Sequence, residues 1–203
     1  IRKEIAVMKR CRHPHVVRLI EVIDDKLYKK IYMIMEYLGG GEIKWRDQDN
    51  NPILRVEQAR RICRDVILGL EYLHKQDIIH RDIKPANLMW TSDRRSVKIT
   101  DFGVAHLSGR DPEEILLFDK AELAKTAGTP AFLAPEVVWE FGNVPASSTP
   151  ASPATPPENG SVPSITKSID LWAFGVTLYS LLFGRTPFVA EGNHEFMLYH
   201  VIC

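Results

Sequence analysis

Eight consecutive residues limit this chain more than any other stretch of it. His80-Arg81-Asp82-Ile83-Lys84-Pro85-Ala86-Asn87 sets a carboxylate, an ammonium and a carboxamide in one tight loop. Asp101-Phe102-Gly103 begins 14 residues after Asn87, and Ala134-Pro135-Glu136 follows further on. Short β-prone pieces surround the loop: Ile78 and Ile79, residues 88–90, and residues 97–100, the last two joined by the polar turn Ser92-Asp93-Arg94-Arg95. Asp101 therefore falls at a strand end beside the loop. Each motif alone occurs by accident, but their order and spacing together make chance agreement remote.

Upstream, Ile1, Ile5 and Met8 share one face of a helix predicted over residues 1–12, with Lys3, Lys9 and Arg10 elsewhere, and His13-Pro14 stops it. Strands are expected over residues 16–23 and 31–36, turning at Asp24-Asp25-Lys26, and Gly39-Gly40-Gly41 breaks the pattern. Over residues 57–75, Ala59, Ile62, Cys63, Val66, Ile67, Leu70 and Leu73 recur at spacings of three and four, which predicts a long helix with one buried face. Cys63 lies on that face as a core residue, since nothing near it would lower its pKa. Strands early and helices late argue an α+β fold whose second lobe is mainly helical.

Lysine and arginine number 26, aspartate and glutamate also 26, so no basic field marks nucleic acid or an anionic membrane as a partner. The longest apolar run, residues 171–184, has 14 residues against the ~20 that span a bilayer, and suits a buried helix. Cys11, Cys63 and Cys203 form no C-x-x-C pair and suit a reducing compartment. The chain reads as soluble and cytoplasmic. Residues 143–165 hold six of the 13 prolines and a single charge, and are expected to be a disordered insertion. Asn159-Gly160-Ser161 within them matches a glycosylation sequon and is taken as chance. His13, His15, His74, His106, His194 and His200 lack metal-ligand spacing and are read as surface or packing residues.

Phosphoryl transfer needs an acceptor held in line, a carboxylate for the hydroxyl proton, and divalent metal to neutralise the phosphates. The three motifs contain groups that meet those needs. Together they resemble the signature set of eukaryotic-type protein kinases. That resemblance implies a two-lobed fold and assigns Asp82 as catalytic base and Lys84 as the lysine that steadies the transferring phosphate. It makes Asn87 and Asp101 ligands of Mg²⁺, which favours hard oxygen donors. Lys84, and Thr129 in Gly128-Thr129-Pro130, mark the serine/threonine form, that threonine contacting the loop lysine and base. Glu4, ten residues before Pro14, matches the helix glutamate that pairs with the ATP-anchoring lysine. Met35-Glu36-Tyr37-Leu38 resembles the hinge that offers backbone groups to adenine, with Met35 as gatekeeper. Glu42 is placed to bind the ribose and Met89 to form the floor beneath the base. Met8, Leu19, His80 and Phe102 match the stacked hydrophobic spine. Asp170, with Trp172 and Gly175, matches the helix beneath the catalytic loop, while Arg185 is read as structural.

Residues 13–25 (HPHVVRLIEVIDD), residues 101–104 (DFGV), residues 126–136 (TAGTPAFLAPE) and residues 175–179 (GVTLY) are similar to the calcium/calmodulin-dependent protein kinase kinases and to related kinases upstream of the AMP-activated kinase. This implies a protein substrate that is itself a kinase, phosphorylated on its activation-loop threonine. Calmodulin regulation would act through a segment not present after Cys203. Thr126 is a candidate phosphosite. Asp111, Glu113, Glu114, Asp119 and Glu122 either stand in part for a phosphate facing Arg81 or form a solvated acidic loop.

No glycine-rich loop and no lysine strand precede Glu4, and an arginine partner for Glu136 would lie beyond Cys203. Residues 1–38 are therefore expected to be the remnant of a first lobe with its hinge, and residues 39–203 a truncated second lobe. The fragment alone is expected to be close to inactive. Two other readings are weighed: a pseudokinase scaffold, opposed by intact Asp82, Lys84, Asn87 and Asp101, and a small-molecule kinase, opposed by Ala134-Pro135-Glu136.

Overall fold

Amphipathic spacing and turn chemistry divide the chain much as expected. The computed structural model describes residues 1–107, 127–142, 165–190, 192 and 194–203. Helix α1 (Arg2–Arg10) buries Val7 and Met8, while Ile1 is exposed, so the buried stripe starts one turn later than the Ile1 spacing predicts. The end of α1 is tied down from a distance. The Tyr72 hydroxyl donates to the Arg10 carbonyl at 2.9 Å and accepts from the Arg12 N–H at 2.8 Å, and the His13 ring stacks on Tyr72 at 4.8 Å.

Strands β1 (Leu19–Asp25) and β2 (Lys30–Met35) form an antiparallel pair running from Leu19 opposite Met35 to Asp25 opposite Lys30. The turn falls later than Asp24-Asp25-Lys26 because Asp25 Oδ1 accepts the N–H groups of Leu27 and Tyr28, folding the chain after Asp25. Val16 and Val17 lie outside β1 and bridge instead to Ile99, the Val17 N–H donating to its carbonyl at 2.9 Å.

β3 (Gly41–Glu42) leads to α2 (Val56–Lys75). The buried face of α2 holds Ala59, Ile62, Cys63, Val66, Leu70 and Leu73 as the spacing predicts, with Asp65 and Gly69 among them. Ile67 departs from the prediction: it is 50% exposed, because it sits one position off the stripe. Gly69 is where α2 meets the rest of the fold. A Cβ there would lie 2.8 Å from the His15 carbonyl oxygen and 2.8 Å from Ile99 Cδ1. Burial pushes the Cys63 thiol up to about 11, as a packing role requires.

β4 (Ile78–Ile79), β5 (Leu88–Trp90), β6 (Val97–Ile99) and β7 (His106–Leu107) complete the strands. They form two small antiparallel sheets, ordered β3-β5-β6 and β4-β7. The later described elements are helices: α3 (Pro135–Gly142), α4 (Ser168–Phe183) and α5 (Glu195–Ile202). α4 has the buried interior expected of residues 171–184, through Ala173, Val176, Thr177, Ser180 and Leu181. Its two flanks differ, for Leu171 and Phe183 are exposed. Gly184, at φ 70°, closes α4 in the left-handed region that favours glycine.

One core cluster joins Val7 and Met8 to α2, β5, β6, Phe102 and α4. A second packs Leu133, Ala134, Val137 and Val138 against Ile79, Ile169, Tyr199 and Ile202. Ile165, counted with the insertion, packs on that second cluster, while residues 143–164 lie outside the described residues, as do Asn159 and Thr126. Asp111, Glu113, Glu114, Asp119 and Glu122 lie outside them too. Each large side chain brought fully into these clusters contributes about 1.5–3 kcal/mol. Among the described residues, no helix is long and apolar enough to cross a membrane.

Candidate active site

The loop after β4 carries its functional groups because its backbone is held at both ends. At the near end, the N–H groups of His80 and Arg81 donate to the two oxygens of Asp170, at 2.9 and 2.8 Å. Asp170 is completely buried at the start of α4, so its charge must be met by donors, and His74 Nε2 supplies another at 2.8 Å. Arg81 takes φ 71°, an uncommon value for a residue with a side chain, held by the hydrogen bonds of its own N–H and that of His80 to Asp170. At the far end, Pro85–Asn87 forms a single 3-10 turn, and both the N–H and the hydroxyl of Thr100 donate to the Asn87 carbonyl. From beneath, the Thr177 hydroxyl of α4 donates to the Ile83 carbonyl at 3.3 Å.

His80 is sealed inside. Its Nε2–H donates to the Thr100 carbonyl at 3.0 Å and its Nδ1 accepts the Asp82 N–H at 3.3 Å, an arrangement that requires the neutral ring. Burial lowers its pKa and prevails over the nearby carboxylates of Asp170, Asp82 and Asp101, which raise it.

The Asp82 carboxylate is the focus of the loop. Thr129 Oγ1 donates to Oδ1 at 2.7 Å, Asn87 Nδ2 donates to Oδ2 at 2.8 Å, and Lys84 Nζ lies 2.7 Å from Oδ2. Lys84 Nζ also donates to Thr129 Oγ1 at 2.6 Å, closing a ring of three side chains to which Asn87 is joined through Asp82. Burial pushes the Asp82 carboxyl up, but the hydrogen bonds from Lys84 and Thr129, the Lys84 charge and the Asn87 hydrogen bond together hold it below the ordinary aspartate range. The group stays ionised at neutral pH. Gly128 lets Thr129 approach: its φ is 120°, and a Cβ would stand 2.6 Å from the Arg81 carbonyl.

Asp101 sits just beyond β6 with φ 63°, exposed, its Oδ1 accepting the Gly103 N–H at 3.2 Å. Phe102 turns the other way into the core, its ring edge-on to His80 at 5.0 Å. Met8 and Phe102 lie in the same cluster, and Leu19 packs against it. The donor set suits Mg²⁺. Asn87 spends its amide nitrogen on the Asp82 carbonyl and carboxylate, which leaves its carbonyl oxygen as a donor, and Asp101 adds an exposed carboxylate. Among the described residues no three His, Cys, Asp or Glu side chains cluster as for a metal cage. Two hard oxygen ligands with the remainder from phosphate and water are what magnesium favours.

The other predicted residues lie along a strip beside β5 and β6. Met35 ends β2 and is 45% exposed. Glu36 follows it, and its carboxylate is occupied by Lys98 and the Arg18 N–H. Leu38 is buried, Glu42 is exposed in β3, and Met89 is the partner of Glu42 on one side and of Lys98 on the other. Glu4 stands in the first turn of α1, half-buried, one turn before Met8. The structure thus brings Asp82, Lys84, Asn87 and Thr129 into direct contact and links Asp101 to them through Thr100. Glu136 accepts the Ser168 hydroxyl at 3.1 Å. Arg185 is exposed, and Trp172 stacks on Phe188 at 5.6 Å.

Reading by spacing missed three partners. His74, assigned to surface or packing, contacts Asp170. Lys167 joins α4 to the end of α2 by donating to the His74 carbonyl and to Asp77. Asp65, on the apolar face of α2, accepts the Val97 N–H at 2.9 Å. A charge at a buried heptad-like position is the signal that would have found Asp65; His74 and Lys167 have none.

Comparison with known proteins follows the same lines. The family described as protein kinase domain matches residues 1–201. The chain is 49% identical over 195 residues to the serine/threonine-protein kinase ssp1 of Schizosaccharomyces pombe, covering 96% of this chain and 27% of that protein. It is 48% identical over 206 residues to SNF1-activating kinase 1 of Saccharomyces cerevisiae, covering 94% of this chain and 17% of that protein. To the calcium/calmodulin-dependent protein kinase kinase of Caenorhabditis elegans it is 40% identical over 190 residues, covering 93% of this chain and 30% of that protein. The chain spans less than a third of the length of these relatives.

Proposed function

The chain belongs to the protein kinase domain family, and from that premise we propose that the protein transfers the γ-phosphoryl group of ATP to a serine or threonine hydroxyl of a protein. The observation that carries this reading is the network in which Lys84, Asn87 and Thr129 all bond to the Asp82 carboxylate. Phosphoryl transfer has a loose transition state, so an enzyme contributes mainly position and charge. Asp82 is built for that: ionised, pinned by three side chains and buried. In this reading it accepts a hydrogen bond from the acceptor hydroxyl and takes its proton as the bond to phosphorus forms. Lys84, already beside Asp82, offers its ammonium to the transferring phosphate. Thr129 keeps base and lysine in register.

Asn87 and Asp101 are the residues that would hold Mg²⁺, which when bound neutralises phosphate charge. The backbone of residues 36–38 would receive adenine below the Met35 gatekeeper, Glu42 the ribose, and Met89 would lie beneath the base. Glu4 is assigned as the helix glutamate that would pair with the ATP-anchoring lysine. Residues 1–38 belong in this reading to the smaller lobe and hinge and residues 39–203 to the larger, with residues 143–165 an insertion in it. The cytoplasm is the compartment it suits.

The substrate we propose is another kinase, phosphorylated on its activation-loop threonine. Two relatives are named as an activating kinase of SNF1 and as a kinase kinase, and that supports the choice. The test uses the full-length protein with Mg-ATP and a catalytically dead AMP-activated kinase subunit, beside an Asp101→Ala control. Threonine phosphorylation on that subunit's activation loop, lost in the control, is the expected result. Transfer to a generic substrate but not to this one would discard the kinase-kinase assignment, and transfer to nothing would overturn the reading.

A further inference from the structure

Lys98 has no part in the chemistry above, yet it is tightly committed. From the middle of β6 it donates to both oxygens of Glu36, at 2.7 and 2.9 Å. The Arg18 N–H donates to Glu36 Oε1 at 2.8 Å, and the Glu36 N–H returns to the Arg18 carbonyl at 3.0 Å. The lysine and glutamate side chains are only 14% and 27% exposed, so solvent screens the pair less than a surface ion pair. The strand that bears Lys98 is itself fixed. Ile99 donates to the His15 carbonyl and accepts the Val17 N–H, and Lys98 is the cross-strand partner of Met89. Two residues beyond Lys98, Thr100 holds the Asn87 carbonyl, and Asp101 comes next.

One short strand therefore grips Glu36 by a side chain, leads directly to Asp101 and, through Thr100, holds Asn87. We propose that Lys98 is a positioning residue: through Glu36 it fixes where residues 36–38 stand relative to Asn87 and Asp101. This rests on the reading that residues 36–38 receive adenine. A nucleotide spans both places, so it gains the two sets of contacts at once only if their separation is set beforehand. Without Lys98, Glu36 keeps Arg18 but loses β6, and the nucleotide must order the segment as it binds.

The test measures the Kd for ADP with Mg²⁺ by calorimetry on the full-length protein, as wild type, Lys98→Met, Glu36→Gln, the double variant and Lys98→Arg. Expected are a Kd raised at least about threefold in each single variant and a double variant no weaker than the worse single. Lys98→Arg should stay near wild type, because its guanidinium can grip the same carboxylate. Additive effects, or an unchanged or lowered Kd in the single variants, would overturn the proposal. Should Lys98→Met fail to fold, Glu36→Gln decides alone, since it keeps the side-chain shape and the Arg18 acceptor. A wild-type protein that binds no ADP defeats the nucleotide reading itself; one that binds it, with variants that bind alike, defeats only the role of Lys98.

Discussion

Asp170 illustrates how a single buried charge organises a reactive loop. Its carboxylate accepts from the His80 N–H, the Arg81 N–H and His74 Nε2, and none of it reaches solvent. Asp170→Ala would leave two buried backbone donors unpaired and release the strained turn at Arg81. The expected cost is about 3 kcal/mol, seen in thermal unfolding as a Tm lower by about 6–12 °C for a domain of this size. A shift under about 2 °C would show that water satisfies these donors instead. At this scale the sequence was most legible where chemistry is local. Asp82, Lys84 and Asn87 stand within six residues of one another, so motif spacing places them together. Lys98 and Glu36 are 62 apart, and His74 and Asp170 are 96 apart. Nothing in either neighbourhood names the partner, because such pairs depend on which strands and helices fold against each other.

Among the elements, α2 was the most readable and Gly69 shows why its reading is incomplete. The spacing of its apolar residues identifies the helix and most of its buried face, yet it cannot tell that Asp65 is buried or that Ile67 is not. The burial of Asp65 depends on β6 and the His15 loop lying across the helix. Gly69→Ala sets two effects against each other. Alanine favours the helix by about 0.8–1.0 kcal/mol, but its Cβ would meet a backbone carbonyl that already accepts the Ile99 N–H. Backbone yields poorly, and overpacking of this kind costs about 1–3 kcal/mol. The clash should win, giving a less stable protein in urea titration. A rise in the urea midpoint would mean that the His15 loop moves aside freely. The strand boundaries were less legible still, since the turn after β1 is set by the Asp25 side chain and not by hydrophobic alternation.

For the whole molecule, order along the chain foretold the α+β class, with the described strands all before residue 108 and α3, α4 and α5 after them. It did not foretell that the strands divide into three separate small sheets, since pairing such as β3 with β5 joins residues far apart. Nor did it reveal how deeply α4 underlies the reactive loop, through Asp170 and Thr177 together. Those contacts fix the loop backbone to α4, while Lys84, Thr129 and Asn87 hold the Asp82 carboxylate ionised and in place. The most direct measurement is the rate of phosphoryl transfer from ATP to a protein threonine by the full-length protein, wild type against Asp82→Asn. The account predicts a fall of roughly 10²- to 10⁴-fold with folding retained; a rate within about twofold of wild type would contradict it.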